Sequence, residues 1–157
     1  MSSVERVRAA LAARGMEDRI QRFSETTKTS ADAAAAIGCT VAQIAKSMVF
    51  RSAHGRCVVV LTSGVNRVDE AAVSAVVGSK VGRADPEFVR SETGFAIGGV
   101  SPVGLTEGAR PLFLIDRDLL AFDRVWAAAG DANSVFGLTP DELIALTDAT
   151  PADIAKR

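Results

Sequence analysis

A lysine inside an apolar segment is the first residue with a potential chemical role. Lys46 lies in QIAKSMVF, and if this segment is a β-strand, alternation puts it on the same face as Ile44, Met48 and Phe50. Lysine is rarely buried without a partner, so its position indicates a pocket that holds an anion or carbonyl oxygens. The alternative is a lysine at a strand end whose amine extends into water.

A glycine-rich segment, GGVSPVG at residues 98–104, is the second such feature. The consecutive Gly98 and Gly99 allow backbone angles that other residues avoid and let a ligand approach the peptide N–H groups. Pro102 would hold the next turn rigid, and Ser101 adds a hydroxyl group. Such a loop can donate N–H groups to a carbonyl or a developing oxyanion, although a tight turn between strands is the alternative interpretation.

Several common mechanisms lack the residues that they need. His54 is the only histidine and lies in a predicted turn, which gives little support to a histidine triad or a multi-histidine metal site. Cys39 and Cys57 are too far apart for a Cys-x-x-Cys motif, and two cysteines make no disulfide framework. No phosphate-binding loop or dinucleotide-binding glycine pattern is present. No metal and no other cofactor is therefore implied.

Length and composition are typical of one folded domain. The chain has 157 residues, of which 48% are hydrophobic and 24% charged. We expect a single domain over residues 1–157. The N-terminal segment has no signal-like apolar run, and no segment approaches the roughly 18 apolar residues of a membrane span. The cytoplasm is the expected location, with no membrane partner.

Charge is distributed unevenly along the chain. Residues 46–90 carry seven Lys/Arg against four Asp/Glu, a net +3, whereas residues 91–157 carry five against ten, a net -5. This asymmetry permits a local basic surface for a phosphate-bearing partner and disfavours an extensive nonspecific nucleic-acid surface, so no DNA partner is expected. The alternative is a chance imbalance on solvated surfaces.

The elements that must position these residues are interspersed helices and strands. Capping residues, first-turn acids and terminal glycines predict the helices, and short apolar runs predict the strands. Helices are predicted in SSVERVRAALAARG, TSADAAAAIG, VDEAAVSAVVG, DPEFVRSETG and TPDELIAL, and strands in RIQRF, AQIAKSMVFR, RCVVVLTSG, FAIGGV, PLFLID, RVWAAA and NSVFGL. A hairpin turn is expected at SAHG. The pattern favours an α/β fold of the α+β type, with a mixed, mainly antiparallel sheet and peripheral helices.

Four segments follow one another along the chain: the lysine-containing QIAKSMVFR, then CVVVLTSGVNRVD, the GGVSPVG loop and the closing LTPDEL. Together they resemble the YbaK/ProX family of aminoacyl-tRNA editing deacylases. The resemblance covers about residue 20 to about residue 150. The family is related to the editing domain inserted in some bacterial prolyl-tRNA synthetases. The resemblance implies the same fold and a free-standing enzyme that hydrolyses the ester between a wrong amino acid and the 3′ end of a tRNA, most often proline tRNA. The acceptor end is then the partner, with prolyl-tRNA synthetase as a second candidate.

The resemblance also implies roles for residues of the two opening segments. Lys46 matches the functional lysine of the family, which is expected to hold the acceptor-end phosphate or the region of the ester carbonyl. Gly98, Gly99, Ser101 and Pro102 match the glycine-rich loop, which is expected to wrap the aminoacyl group and the terminal ribose. The family is described as having no protein nucleophile, with the terminal ribose hydroxyl helping to activate water. Loop N–H groups would then polarise the carbonyl.

The amino-acid pocket of the family corresponds to two further segments. Thr26 and Thr27, and the loop GDANSVF with Asp131 and Asn133, fall where related proteins line that pocket. Alanine-directed members have a histidine in this loop, and this chain has none. Polar Asp131, Asn133 and Ser134 could favour serine or threonine; alanine, cysteine and 2-aminobutyrate also stay open.

Two other classes of function compete with the deacylase. One is a noncatalytic module that binds a tRNA acceptor end or a synthetase. The other is a hydrolase of a different small acyl ester, which would leave the basic middle third of the chain without a purpose. A lysine and a glycine loop together favour the deacylase, since a pure binding module would not need both.

Overall fold

The computed structural model describes residues 2–23 and 29–157, which form five α-helices and eight β-strands. The helices are α1 (Ser3–Ala12), α2 (Ser30–Ile37), α3 (Glu70–Val77), α4 (Pro86–Thr93) and α5 (Pro140–Thr147). The strands are β1 (Ile20–Arg22), β2 (Ile44–Ser52), β3 (Cys57–Ser63), β4 (Val81–Arg83), β5 (Leu112–Asp116), β6 (Val125–Ala128), β7 (Ser134–Leu138) and β8 (Thr150–Ala152). Short 3-10 helices cover Glu17–Arg19, Val41–Gln43 and Arg117–Ala121.

All five predicted helices are present, and each begins at a side chain that caps it. The caps of α1, α2 and α5 are reciprocal capping boxes, in which the cap side chain binds a backbone N–H and an acidic side chain binds the N–H of the cap residue. An aspartate caps each of the other two helices. The cap residues are Ser2, Thr29, Asp69, Asp85 and Thr139.

One sheet carries all the strands, in the order β1-β7-β6-β2-β3-β5-β8, with β4 also paired to β2. The pairs β1–β7, β2–β3, β2–β4 and β6–β7 are antiparallel, and β2–β6, β3–β5 and β5–β8 are parallel. The predicted mixed, mainly antiparallel sheet with peripheral helices is therefore confirmed, as is the hairpin between β2 and β3. In the described ranges no helix combines the length and apolar character that crossing a membrane requires.

The predicted strand FAIGGV is wrong, because residues 95–100 form a loop. The N–H of Gly99 donates to the carbonyl oxygen of Ala96 at 2.9 Å, and this contact closes a turn. Gly98 has a φ of 93°, which no extended strand contains. Strands β4 and β8 were not predicted, because they have three residues each and are too short to give a periodic pattern.

The two faces of β2 pack against different apolar clusters. Ala45 and Val49 belong to the main core on one face. On the other face, Ile44 packs in a small cluster under α2, and Phe50 packs in another small cluster with residues of α3 and β5. Lys46 lies on this second face, between the two small clusters, as the alternation of the strand predicts.

Candidate active site

A gap in the sheet lies beside the middle of β2. On one edge of β2, Ile44 pairs with Trp126 and Ala45 pairs with Ala127 of β6, and the pairing of these two strands ends there. Further along, β4 pairs with the same edge from Phe50 onward. Between these two pairings, residues 46–48 have no strand partner on this edge within the described part of the chain.

A pocket of about 360 Å³ opens at this gap, and we call it the gap pocket. Its volume falls within the range of about 300–1,000 Å³ that is typical of ligand sites. Such a volume admits a terminal nucleotide or an acyl group rather than a whole macromolecule. The lining residues are Thr29, Ser30, Ala33, Ile44, Ala45, Lys46, Ser47, Met48, Ile97, Gly98, Val100, Trp126, Ala127, Ala128, Asp131, Ala132, Ser134 and Val135.

Lys46 is half-buried at the edge of the gap pocket and also lines a neighbouring cavity. Burial, followed by the positive charges of Arg67 and Arg83, lowers the pKa of its ammonium below the ordinary value of 10.5. No salt bridge or hydrogen bond to its amine is found among the described residues. The amine is therefore a cation that is available to an anionic or carbonyl oxygen.

Two serine hydroxyls at the gap pocket are buried and have no hydrogen-bond partner within the described part of the chain. They are the Oγ atoms of Ser47 in β2 and Ser134 in β7. Leaving a buried polar group unpaired costs roughly 1–3 kcal/mol, and such groups are rare in folded proteins. Both side chains line the gap pocket, so a turn about χ1 would bring either buried hydroxyl to a polar ligand there.

The backbone of Ser47 is also directed into the gap. The N–H of Gly64 donates to the carbonyl oxygen of Ile44 on the β3 side, and the N–H of Ala84 donates to that of Val49 on the opposite side. Because the backbone groups of successive residues point to opposite sides of a strand, the N–H and carbonyl of Ser47 point to the edge of β2 where no neighbouring strand is paired. Ser47 was not predicted as a site residue, since its one signal in the sequence is a polar side chain inside an apolar strand.

The glycine loop forms one wall of the gap pocket through Ile97, Gly98 and Val100. The φ of 93° at Gly98 lies in the left-handed region that favours glycine. At Gly99, a Cβ atom would lie 3.0 Å from the Cα atom of Asp131, a tight contact that would require the neighbouring backbone to shift by a few tenths of an ångström. The absence of a side chain thus lets the glycine loop pack directly on residues 130–131.

Three of the predicted loop residues do not line the gap pocket: Gly99, which is buried against residues 130–131, Ser101 and Pro102. Ser101 is fully buried, and its Oγ accepts a hydrogen bond from the N–H of Val103 at 3.2 Å. Pro102 lines a separate cavity beside Ala10 and Arg14. Ser101 and Pro102 therefore support the loop and do not face the gap pocket.

In the predicted loop GDANSVF, Asp131 lines the gap pocket and Asn133 does not. The Oδ1 of Asp131 accepts the N–H of Asn133 at 2.8 Å. Its other carboxylate oxygen lies 3.7 Å from a guanidinium nitrogen of Arg22. Asn133 is outside the lining and donates from Nδ2 to the carbonyl oxygen of Phe23 at 3.5 Å. The predicted residues 26 and 27, both threonines, lie outside the described residues.

Metal-ligating residues are dispersed in the part of the chain that the structure describes. No group of three or more His, Cys, Asp or Glu side chains there could hold a metal ion. His54 is exposed in the turn between β2 and β3. Cys57 is buried, and burial raises the pKa of its thiol to about 11, which keeps it protonated at neutral pH.

Comparisons with known proteins agree with this architecture. Residues 24–146 match the aminoacyl-tRNA editing domain. The uncharacterized protein YwhH of Bacillus subtilis (strain 168) is 32% identical over 141 residues, which cover 90% of this chain and 88% of that protein.

Solved structures extend the similarity to the whole chain. A crystal structure of a candidate trans-editing enzyme for prolyl-tRNA synthetase matches with a TM-score of 0.92 and 41% identity, over 100% of this chain and 99% of that chain. The hypothetical protein APE2540 matches with a TM-score of 0.87 and 29% identity, over 96% of this chain and 99% of that one. The chain therefore belongs to the aminoacyl-tRNA editing domain family, whose members are deacylases, hydrolases that act on the ester of aminoacyl-tRNA.

Proposed function

We propose that the chain, acting as one domain over residues 1–157, is a cytoplasmic trans-editing deacylase that removes a small non-cognate amino acid from proline tRNA. The observation that carries the proposal is the gap pocket itself. It combines the cationic Lys46, the backbone of Ser47 without a strand partner and two unsatisfied hydroxyls in a space the size of an aminoacyl-adenosine terminus. The candidate enzyme for prolyl-tRNA synthetase, similar over the full length, supports proline tRNA as the substrate.

The chemistry required of the protein is positioning and polarisation. Water adds to the acyl carbon, the bond from that carbon to the ribose oxygen breaks, and the ribose oxygen takes the proton, leaving free amino acid and tRNA. Donors near Gly98 and Ser47 would polarise the ester carbonyl, while Lys46 would hold the charged end of the substrate. Water would be activated by the terminal ribose hydroxyl of the substrate, since the pocket lining contains no histidine.

The polar groups of the gap pocket suggest which amino acid is removed. A serine or threonine side chain would pair with the hydroxyl of Ser47 or Ser134 once that hydroxyl turns toward the pocket, whereas alanine or 2-aminobutyrate would leave it unpaired. Asp131 would bind the α-ammonium group of the substrate. We therefore expect release of serine and threonine to exceed release of alanine, cysteine and 2-aminobutyrate. Pocket size limits the side chain, and editing is needed where a synthetase site cannot reject small competitors.

The test is deacylation of proline tRNA charged separately with alanine, serine, threonine, cysteine, 2-aminobutyrate and proline. We expect seryl- or threonyl-tRNA to be cleaved fastest, prolyl-tRNA to be spared, and Lys46→Ala to lower the rate by roughly 10²–10³ while the protein stays folded. Lys80→Ala, at an exposed lysine outside the pocket, is the matched control. Release of none of the six would leave a noncatalytic binding module, and an active Lys46→Ala protein would remove the lysine from the mechanism.

A further inference from the structure

A second cavity, of about 410 Å³, continues from the gap pocket on the same face of the sheet. The two cavities share Lys46 and Met48 in their walls and are therefore adjacent. We call the second cavity the basic groove. Its lining residues are Lys46, Met48, Phe50, Arg67, Val68, Glu70, Arg83 and Lys156.

Three separate parts of the chain bring the basic side chains to this groove. The C-terminal segment lies antiparallel to residues 67–69, where the N–H of Lys156 donates to the carbonyl oxygen of Arg67 at 2.7 Å. The N–H of Asp69 donates to the carbonyl oxygen of Ile154, also at 2.7 Å. Arg83 comes from β4. These backbone contacts hold three exposed cations beside the half-buried lysine.

The charges of the groove are not balanced by the protein. Four cations face one carboxylate, Glu70, and none of the four has a salt bridge among the described residues. Nearby Arg157 differs, because both of its terminal nitrogens bind the carboxylate of Asp118 at 3.1 Å. Repulsion from Arg67 and Arg83 adds to burial in lowering the pKa of Lys46. The groove thus maintains a positive field that an anionic ligand would neutralise.

We propose that the basic groove binds the phosphodiester groups of the single-stranded 3′ end of the aminoacyl-tRNA and leads its terminal nucleotide into the gap pocket. This inference rests on the proposed function, because an acyl group in the gap pocket is attached to a strand that must leave past Lys46. The one aromatic lining residue, Phe50, is almost fully buried and offers no ring for base stacking. Contacts in the groove are therefore to phosphates, which position the strand without reading its sequence.

The experiment measures binding of a fluorescent acceptor-stem RNA hairpin with a CCA end over a series of salt concentrations. It compares the wild type with the double variant Arg67→Gln/Arg83→Gln. Arg56→Gln/Arg90→Gln makes the same charge change at exposed positions outside both cavities. The groove variant should bind at least about tenfold more weakly at low salt, with a salt slope lower by about 1.4, since each single-strand phosphate contact contributes roughly 0.7. The control variant should match the wild type, and circular dichroism establishes that all three are folded.

Deacylation kinetics separate this inference from the function on which it rests. If both are correct, the groove variant raises KM several-fold and leaves kcat within about twofold, because the phosphate contacts bind ground and transition states alike. A wild type that deacylates, together with a groove variant that binds RNA normally, overturns the groove and leaves the function standing. A wild type that releases no amino acid but binds RNA through the two arginines overturns the function alone. Arginine-dependent binding of inorganic pyrophosphate without binding of the RNA overturns the assignment to RNA.

Discussion

Arg6 in α1 donates a hydrogen bond from Nη2 to the carbonyl oxygen of Gly94, at 2.6 Å, four residues before the glycine loop. Its Nε also donates to the carbonyl oxygen of Gly104 at 3.2 Å, where the loop ends, and its guanidinium lies 4.9 Å from the ring centroid of Phe95. One side chain thus joins both ends of the segment that walls the gap pocket. Arginine suits this task because its planar group presents several donors in fixed directions.

We predict that Arg6→Ala lowers kcat for deacylation by roughly tenfold and changes KM less, since the loop would still reach the substrate but would lose its fixed position. The control is Arg8→Ala, which removes an exposed arginine from the same helix. Comparing the two at a temperature where both are folded separates positioning from stability. If kcat/KM falls only in proportion to the unfolded fraction, Arg6 has a purely structural role.

Replacing Lys46 with methionine should raise the melting temperature at neutral pH while abolishing activity. The pKa of Lys46 is lowered in the folded state, chiefly by burial, so keeping the amine protonated opposes folding. This cost is fully present below the folded-state pKa and disappears as the pH rises toward 10.5, the ordinary value. The gain in melting temperature from Lys46→Met should therefore decrease as the pH rises toward 10.5.

Thermal unfolding of the wild type, Lys46→Met and Lys80→Met between pH 7 and pH 10.5 checks this prediction, with Lys80 as the exposed control. Cys57, whose pKa is raised to about 11 by burial, affects all three proteins alike and cancels from the differences. Equal melting temperatures for all three proteins at neutral pH would show that the protonated amine of Lys46 does not destabilise the folded state.

Removing the hydroxyl of Ser134 should change selectivity more than stability. Ser134→Ala leaves no partner unsatisfied, because the Oγ has none among the described residues, so the free energy of unfolding should stay the same or rise. The ratio of seryl- to alanyl-tRNA deacylation should fall by about tenfold, the worth of one hydrogen bond. Ser91→Ala, at an exposed position of α4, serves as the control. An unchanged ratio would mean that Ser134 does not contact the substrate side chain.

Gly99→Val should destabilise the protein and lower deacylation, because it displaces the glycine loop that walls the gap pocket. Its Cβ atom would lie 3.0 Å from Asp131 Cα and 3.1 Å from the carbonyl oxygen of Gly130, so the two loops must separate. Overpacking of this kind costs about 1–3 kcal/mol. Gly82→Ala is the control, since no atom lies within 4 Å of its added Cβ. Urea unfolding measures the loss of stability, and an active, stable Gly99→Val protein would refute the contact.

Elements whose signals are local could be predicted from the sequence. Capping boxes at Ser2 and Thr139 lie within four residues of the groups that they bind, so the ends of α1 and α5 could be read directly. Alternation in β2 predicted the face of Lys46, and the turn residues between β2 and β3 predicted their hairpin. The four motifs that carried the resemblance also led to the family before any geometry was known.

The contents of the site depend on contacts that form only in the folded chain. The gap beside β2 exists because β6 and β4 pair with different ends of one edge, and no local pattern encodes where two distant strands stop. Ser47 and Ser134 become significant only when packing buries both hydroxyls beside one pocket. Lys156 meets Arg67 through a backbone contact that spans most of the chain. Such contacts depend on the energy of the complete packed fold, and a residue's immediate neighbours in sequence do not carry that information.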